Sequence, residues 1–434
     1  MPRIAVGLAA FLLLAAPAGA RGAVCEDLKP LRASGTMLTT DSGQPVELRG
    51  VNFGNWLVIE SAFLGEDIGD ESSLWALLES RFGKAGMEQA REAYRSAWIT
   101  PADFERVRAL GLNSVRIPFW YGLLEDDAHP GEYSEAGWKW LDMAVESCER
   151  ACIYCVLDLH GAPGGQSAAD HTGAAGRNGL WDHPDMQKRA AAIWAAVAAR
   201  YRGRASIAAF DLLNEPMGAP NKKAIVSINS QLIDAVRSAD KDRLVVVEDG
   251  YRGLDGFPGP SEAGWSGVIY SQHHYATMNA PWPTAQMHEA YIRTVFPASR
   301  REQKRLGAPI YVGEWSVIQE AAGGGSMTSR YIKEMGREGW SWALWIYKQT
   351  SSERVRECWS FYRNDKPMSL PDFKRDSLQA ILGKIEGLRT ENMSLYGALR
   401  DAVKTGGCYE KGLDIRRIDL TREISTRALT GLSR

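Results

Sequence analysis

Eight short apolar runs, rich in Val, Ile, Leu and aromatic residues, recur between residues 46 and 348, and helical apolar spacing separates most of them. The runs are VELRGVNF (46–53), NSVRIP (113–118), IYCVLDLHG (153–161), IAAFDLLNE (207–215), RLVVVEDG (243–250), GVIYSQHHY (267–275), PIYVGEW (309–315) and GWSWALWIYK (339–348). Helical patterns fall at 72–96, 101–110, 135–150, 185–201, 222–239, 284–306 and 328–338; a Gly/Pro-rich loop follows the fifth run. Near-continuous apolar runs without strict alternation mark strands buried on both faces, as in a parallel sheet. Eight such units in series predict an α/β chain closed into a (β/α)8 TIM barrel. An open, doubly wound sheet is the alternative, but no Gly-rich phosphate fingerprint follows the first strand.

The periodicity also sets the boundaries. Residues 1–20 read as a signal peptide: Arg3, an apolar segment too short for a convincing membrane span, and an Ala18-Gly19-Ala20 cleavage site. Export to the periplasm or beyond is the expectation, and removal of Arg3 takes the formal net charge from −2 to −3. Residues 21–45 are expected to pack on the barrel, residues 46–390 to form it, and residues 391–434 to add a C-terminal helical extension. DSLQAILGKIEGLR (376–389) has the spacing of the eighth outer helix, and DIRRIDLTREISTRAL reads as a solvated helix face. AAGGGS (321–326) is a loop beside the seventh strand.

A chain of 434 residues with 45% apolar and 24% charged content can bury a large core. Its near-neutral charge offers no basic field for nucleic acid or a membrane surface. The 15 Trp and 15 Tyr suit the apolar faces of sugar rings, and core packing accounts for them equally well. Six cysteines fit an exported protein. Cys148, Cys152 and Cys155 lack a fourth ligand at zinc spacing, which favours buried thiols or a disulfide over metal. Cys25, Cys358 and Cys408 are expected to pair among themselves.

In a barrel of this kind chemistry collects at the C-terminal ends of the strands. Arg116 lies at the end of the second strand, His160 of the third, Asn214 and Glu215 of the fourth, Glu248 and Asp249 of the fifth. His273, His274 and Tyr275 end the sixth, Glu314 the seventh, Trp345 and Lys348 the eighth. The opposite ends carry mostly Gly, Pro, Asn, Ala and Arg. Packing does not explain polarity gathered on one rim. Glu215 and Glu314 occupy equivalent strand ends 99 residues apart. A facing carboxylate pair is what glycosidic cleavage needs: one donates a proton, the other stabilises or captures the oxocarbenium-like carbon. Arg116 is the cation that keeps one of them ionised, while His273, Tyr275 and Asn214 offer hydrogen bonds to a carboxylate or a sugar. Taken singly, each glutamate also fits a salt-bridged rim residue. His171 and His183 fall in the loop after the third strand and read as surface histidines. Neither H-E-x-x-H nor G-x-S-x-G is present.

From about residue 46 to about residue 362 the chain resembles glycoside hydrolase family 5, on LRGVNFGNWLVIE, VRIPFWY, LDLHGAPGGQ, LLNEP, HHY, VGEW and W-I-Y-K in the family's order. The resemblance implies that Glu215 is the acid/base and Glu314 the nucleophile of a retaining double displacement. It places Arg116, His160, Asn214, His273, Tyr275 and Trp345 at the remaining site positions, with His274 turned away. Subgroup features are similar to fungal exo-1,3-β-glucanases, where the acids matching Glu60 and Asp170 bind the terminal sugar and close the site. Four positions depart from that pattern: Asn55 for glycine, Ser61 for proline, and Ala169 and Met278 for aromatic residues, the last two weakening the aromatic clamp at the entrance. The implied enzyme cleaves β-glucosides or β-glucan ends without metal or organic cofactor. An endo-acting glucanase with an open cleft and a non-catalytic carbohydrate-binding barrel are the alternatives.

Overall fold

The computed structural model describes residue 25 and residues 28–64, 68–276, 284–317, 324–350, 360–364 and 368–404. The signal-like segment, Cys358, Cys408, Met278, residues 321–323 and the Arg-rich tail lie outside the described residues.

Eight parallel strands close into a barrel: Arg49–Asn52, Ser114–Trp120, Tyr154–Gly161, Ile207–Asp211, Leu244–Glu248, Val268–His274, Ile310–Trp315 and Ser341–Leu344. Each pairs with its sequence neighbours, and the last pairs with the first through Trp342↔Arg49 and Leu344↔Val51. The strands have the order read from the sequence, and nearly all their residues are buried.

Helices Glu71–Trp98, Pro101–Ala109, Glu135–Ala151, Pro184–Arg200, Lys222–Ala239, Ala285–Leu306 and Gly324–Glu338 form the outer ring. Their starts carry local signals. Asp70 accepts from Ser73 N at 2.7 Å, Asn221 accepts from Ala224 N at 3.0 Å, and Thr100 with Asp103 makes a capping box ahead of Pro101. The fifth strand is followed only by the one-turn helix Pro260–Ala263, in keeping with the Gly/Pro-rich sequence there.

Beneath the barrel, Leu31–Ser34 and Met37–Thr40 form an antiparallel hairpin. Leu31, Leu38 and Leu48 close the lower end against Tyr154, Val156, Leu244, Ile269 and Tyr311. Cys25 is disulfide-bonded to Cys152, and Cys148 and Cys155 are buried free thiols. This corrects the pairing expected among Cys25, Cys358 and Cys408. The N-terminal segment runs below the barrel, where the 135–151 helix hands over to the third strand at Cys152, bringing the two Cα atoms within 5.4 Å.

On the side, Lys348–Gln349, Tyr362–Arg363 and Ser394–Leu395 make a small sheet. Its Tyr362↔Leu395 pairing joins the span expected to form the barrel, 46–390, to the extension expected from residue 391. Helix Leu378–Glu386 packs on Glu71–Trp98, and Gly397–Lys404 packs on Gly324–Glu338. Among the described residues no helix is long and apolar enough to cross a membrane.

Candidate active site

At the upper end of the barrel one buried cation organises the polar side chains. Arg116, at 0% exposure, reaches up from the second strand into the middle. Its guanidinium donates to Asp211 Oδ2 at 2.9 Å, Glu248 Oε1 at 3.0 Å, Glu314 Oε1 at 2.9 Å and Asn214 Oδ1 at 2.8 Å, and lies 3.1 Å from Asp158 Oδ2. Those partners come from the third, fourth, fifth and seventh strands. Burial disfavours the guanidinium's charge, but the surrounding carboxylates outweigh it and push its pKa well up. The carboxyl groups below feel the opposite balance. Asp158 and Asp211 are raised by burial despite Arg116, which lowers them.

Above this layer stand Glu215 and Glu314, and the donor atoms of Glu215, His273 and Glu314 all lie within 4.8 Å of one another. Arg116 donates to Glu314 Oε1, and Tyr275 Oη donates to Oε2 at 2.9 Å. Glu215 Oε1 is 2.7 Å from His273 Nδ1 and accepts from Tyr251 Oη at 2.7 Å. Burial raises the Glu215 pKa, but the hydrogen bond from His273 and the charges of His171 and His273 pull it well below the ordinary carboxylate range. His273 moves the other way. Burial lowers it, and Glu248, Glu314 and Glu215 together raise it well above the ordinary value. Both directions favour the imidazole as the holder of the proton that these two groups share.

The backbone is strained at this point. Glu215 has φ 38°, in the left-handed region, and its N–H donates to Glu248 Oε2 at 2.7 Å. Glu248 thus holds the Glu215 backbone, Arg116 and, at 3.3 Å, His273 Nε2. Gln166 braces the same turn by donating to the carbonyls of His160 and Asn214.

His160 donates from Nδ1 toward Asp158 Oδ2 at 2.7 Å and stacks on Trp345, with centroids 5.6 Å apart and planes 10° from parallel. Burial holds it neutral, well below its ordinary pKa. Its Nε2 is 4.0 Å from Glu60 Oε1, a buried oxygen with no hydrogen-bond partner among the described residues. Burial, then the charges of Glu314, Asp170 and Glu215, lift the Glu60 pKa well above normal.

The structure thus gathers Glu60, Arg116, His160, Asn214, Glu215, His273, Tyr275, Glu314 and Trp345 around one opening. Asp170 is different: it is exposed on the short 170–172 turn, within electrostatic reach of Glu60 but not buried with the rest. His274 turns outward to Tyr291 Oη at 3.0 Å. Lys348, named on the rim from its sequence position, is instead buried away from the opening, donating to Leu388 O and Thr390 Oγ1. His171 reverses its reading as a surface histidine, because its Nε2 lies 3.5 Å from Glu215 Oε2; His183 is exposed. Sequence reasoning gave no role to Tyr251 or Gln166, and named Glu248 among the polar strand ends without giving it a role of its own.

Among the described residues, two clusters have ligand atoms close enough for a metal: Glu215 with His273 and Glu314, and Asp158 with Asp211 and Glu248. In the second, the Arg116 guanidinium already fills the position of the cation. In the first, His273 Nδ1 faces Glu215 directly, so the acids are served by hydrogen-bond donors.

Residues 79–351, more than half the chain, match the profile of Cellulase (glycosyl hydrolase family 5). The chain belongs to glycosyl hydrolase family 5. As a family 5 protein it is a glycosidase, and its substrate is a glycan. It is 29% identical over 338 residues to a β-xylosidase of Phanerodontia chrysosporium, covering 73% of this chain and 70% of the relative. It is 31% identical over 286 residues to a probable glucan 1,3-β-glucosidase A of Neosartorya fischeri, covering 62% of this chain and 65% of that one, just under two thirds of its length. Among solved structures, rutinosidase from Aspergillus niger superposes with a TM-score of 0.58 at 19% identity, over 73% of this chain and 95% of that one. At that identity the likeness speaks to the shared barrel.

Proposed function

We propose that this family 5 enzyme is a retaining β-glycosidase that releases glucose from β-glucosides or β-1,3-glucan ends by double displacement. The observation that carries the reading is the carboxylate pair, an oxygen of one within 4.8 Å of an oxygen of the other, each held by unlike partners. A short separation suits direct attack by one carboxylate, whereas an inverting site leaves room for a water between them. Arg116 and Tyr275 donate to both oxygens of Glu314, orienting it as the nucleophile. Glu215 is the acid/base. Its reactive form carries the proton on Oε2, while neutral His273 still donates from Nδ1 to Oε1. Attack by Glu314 consumes one of the negative charges that hold the proton on His273, so bond formation at the anomeric carbon favours that form. Glu60, His160, Asn214 and Trp345 line the place of the sugar ring, Trp345 with its aromatic face.

A 2-deoxy-2-fluoro β-glucoside trap followed by peptide mass spectrometry is expected to label Glu314. Labelling at another residue, or an α-anomeric first product from an assay read by NMR, overturns the mechanism. The exposed position of Asp170 and the small Ala169 favour a second reading, an endo-acting enzyme with an open cleft. Laminarin decides between them: glucose alone supports the closed site, a ladder of oligosaccharides the cleft. Because one relative is named a β-xylosidase, nitrophenyl β-xyloside belongs in the same substrate panel.

A further inference from the structure

The two oxygens of Glu215 are not equivalent. Oε1 is occupied, with His273 Nδ1 and Tyr251 Oη both at 2.7 Å. Oε2 has His171 Nε2 beside it at 3.5 Å, and that nitrogen is buried with no hydrogen-bond partner among the described residues. A buried, unpartnered ring nitrogen costs free energy unless something completes it. With two atoms 3.5 Å apart, a third oxygen can sit at ordinary hydrogen-bond distance, about 2.8 Å, from both.

The loop that carries His171 is built to hold it there. Gly173 O accepts from Ser72 N at 2.9 Å, and Ala175 N donates to Asp70 Oδ2 at 2.9 Å, so the start of the 71–98 helix braces the turn. Thr172 Oγ1 closes the turn on Ala169 O at 2.8 Å. A Cβ at Gly161, directly after His160, would fall 2.1 Å from Thr172 O, so the loop lies on the end of the third strand itself. His171 packs edge-on against His160, with centroids 5.8 Å apart.

We infer that His171 is a catalytic residue, a second hydrogen-bonding group at the reacting oxygen, paired with Glu215 Oε2. The inference rests on Glu215 being the acid/base. In the first step the glycosidic oxygen lies between Oε2 and Nε2. The bond from the anomeric carbon to that oxygen breaks, a bond to Glu314 forms, and the Glu215 proton passes to the departing oxygen while His171 donates to it. In the second step a water takes the same place; its proton returns to Glu215, its oxygen bonds the anomeric carbon, and the ester to Glu314 is released. His171 transfers no net proton. Its contribution is largest where the leaving oxygen is most basic.

The test is a series of β-glucosides running from dinitrophenyl through nitrophenyl to alkyl and disaccharide leaving groups. For His171→Ala, kcat/KM is expected to fall about tenfold or more on alkyl glucosides and less than about threefold on the dinitrophenyl substrate. His171→Gln, whose side-chain NH2 can reach the same position, is expected to restore most of the loss. A merely structural role would cut all substrates alike, so a uniform loss, or no loss, overturns the inference. Should the alanine variant fail to fold, His171→Phe, which keeps the ring and removes the nitrogen, takes its place in the same series. Glu215→Ala is run in parallel. If its loss does not grow with leaving-group basicity, the acid/base assignment itself fails. A graded Glu215→Ala with a flat His171→Ala sinks only the role of His171.

Discussion

The two ends of the barrel are made from the same eight strands and could hardly differ more in what they bury. At the lower end, a hairpin drives Leu31 and Leu38 against Leu244, Ile269 and Tyr311, and a disulfide fastens the chain below Cys152. At the upper end, Arg116, Asp158, Asp211, Glu248, His273 and Glu314 are equally buried and all are ionisable. Apolar burial needs no partner and no particular geometry. Buried charge is tolerated only when every group is matched, so each upper-end residue is placed by several others. The lower end supplies stability that the upper end consumes in holding carboxylates away from water.

Removing Arg116 tests that contrast most severely. Arg116→Met leaves its carboxylate partners buried without their cation, and breaking one side of a buried pair costs about 3–5 kcal/mol. Activity is expected to vanish and the denaturation midpoint to drop at neutral pH. The destabilisation shrinks as pH falls, because uncompensated buried carboxylates take up protons; a pH-independent loss would break the comparison. Next in size is the lower end. Replacing Cys25 and Cys152 together by Ser is expected to cost about 2–4 kcal/mol in chemical denaturation while leaving kcat within about twofold. A fall in kcat comparable to the Arg116 variant would show that the ends are not separable.

The smallest effect sharpens the account of the shared proton. Glu215, lowered in the folded state, contributes stability that is present above its ordinary value of 4.5 and lost as pH falls through the folded value. His273, raised, contributes stability that is present below its ordinary value of 6.5 and lost as pH rises through the folded value. The Tm advantage of the native protein over His273→Gln is therefore expected to be fully expressed between 4.5 and 6.5 and to decline on both sides. The same Tm difference at every pH would sink the ion pair.

Much of this was readable along the chain. The strands and their order followed from runs such as RLVVVEDG, because a residue buried on both faces must be apolar whatever its neighbours. Glu215 and Glu314 stood out because each ends such a run. His171 did not, since a histidine in a loop after a strand looks the same whether it faces solvent or folds back onto the next strand's acid. Glu248 was visible as an acid at a strand end, but its grip on the Glu215 N–H depends on a left-handed backbone that Asn-Glu-Pro does not announce. Lys348 erred in the other direction: a charge at a strand end that tertiary contacts turned away from the opening.

The sequence by itself determined the closed barrel, the end on which polarity gathers and the pair of glutamates across it, because periodicity and strand-end position are local properties. Only the tertiary structure decided that Cys25 meets Cys152, that one guanidinium joins acids from four strands, and that His171 and Tyr251 flank opposite oxygens of Glu215. Those are contacts between residues up to 198 positions apart, as for Arg116 and Glu314. Their distances are set by barrel closure and loop return, which no stretch of sequence encodes alone.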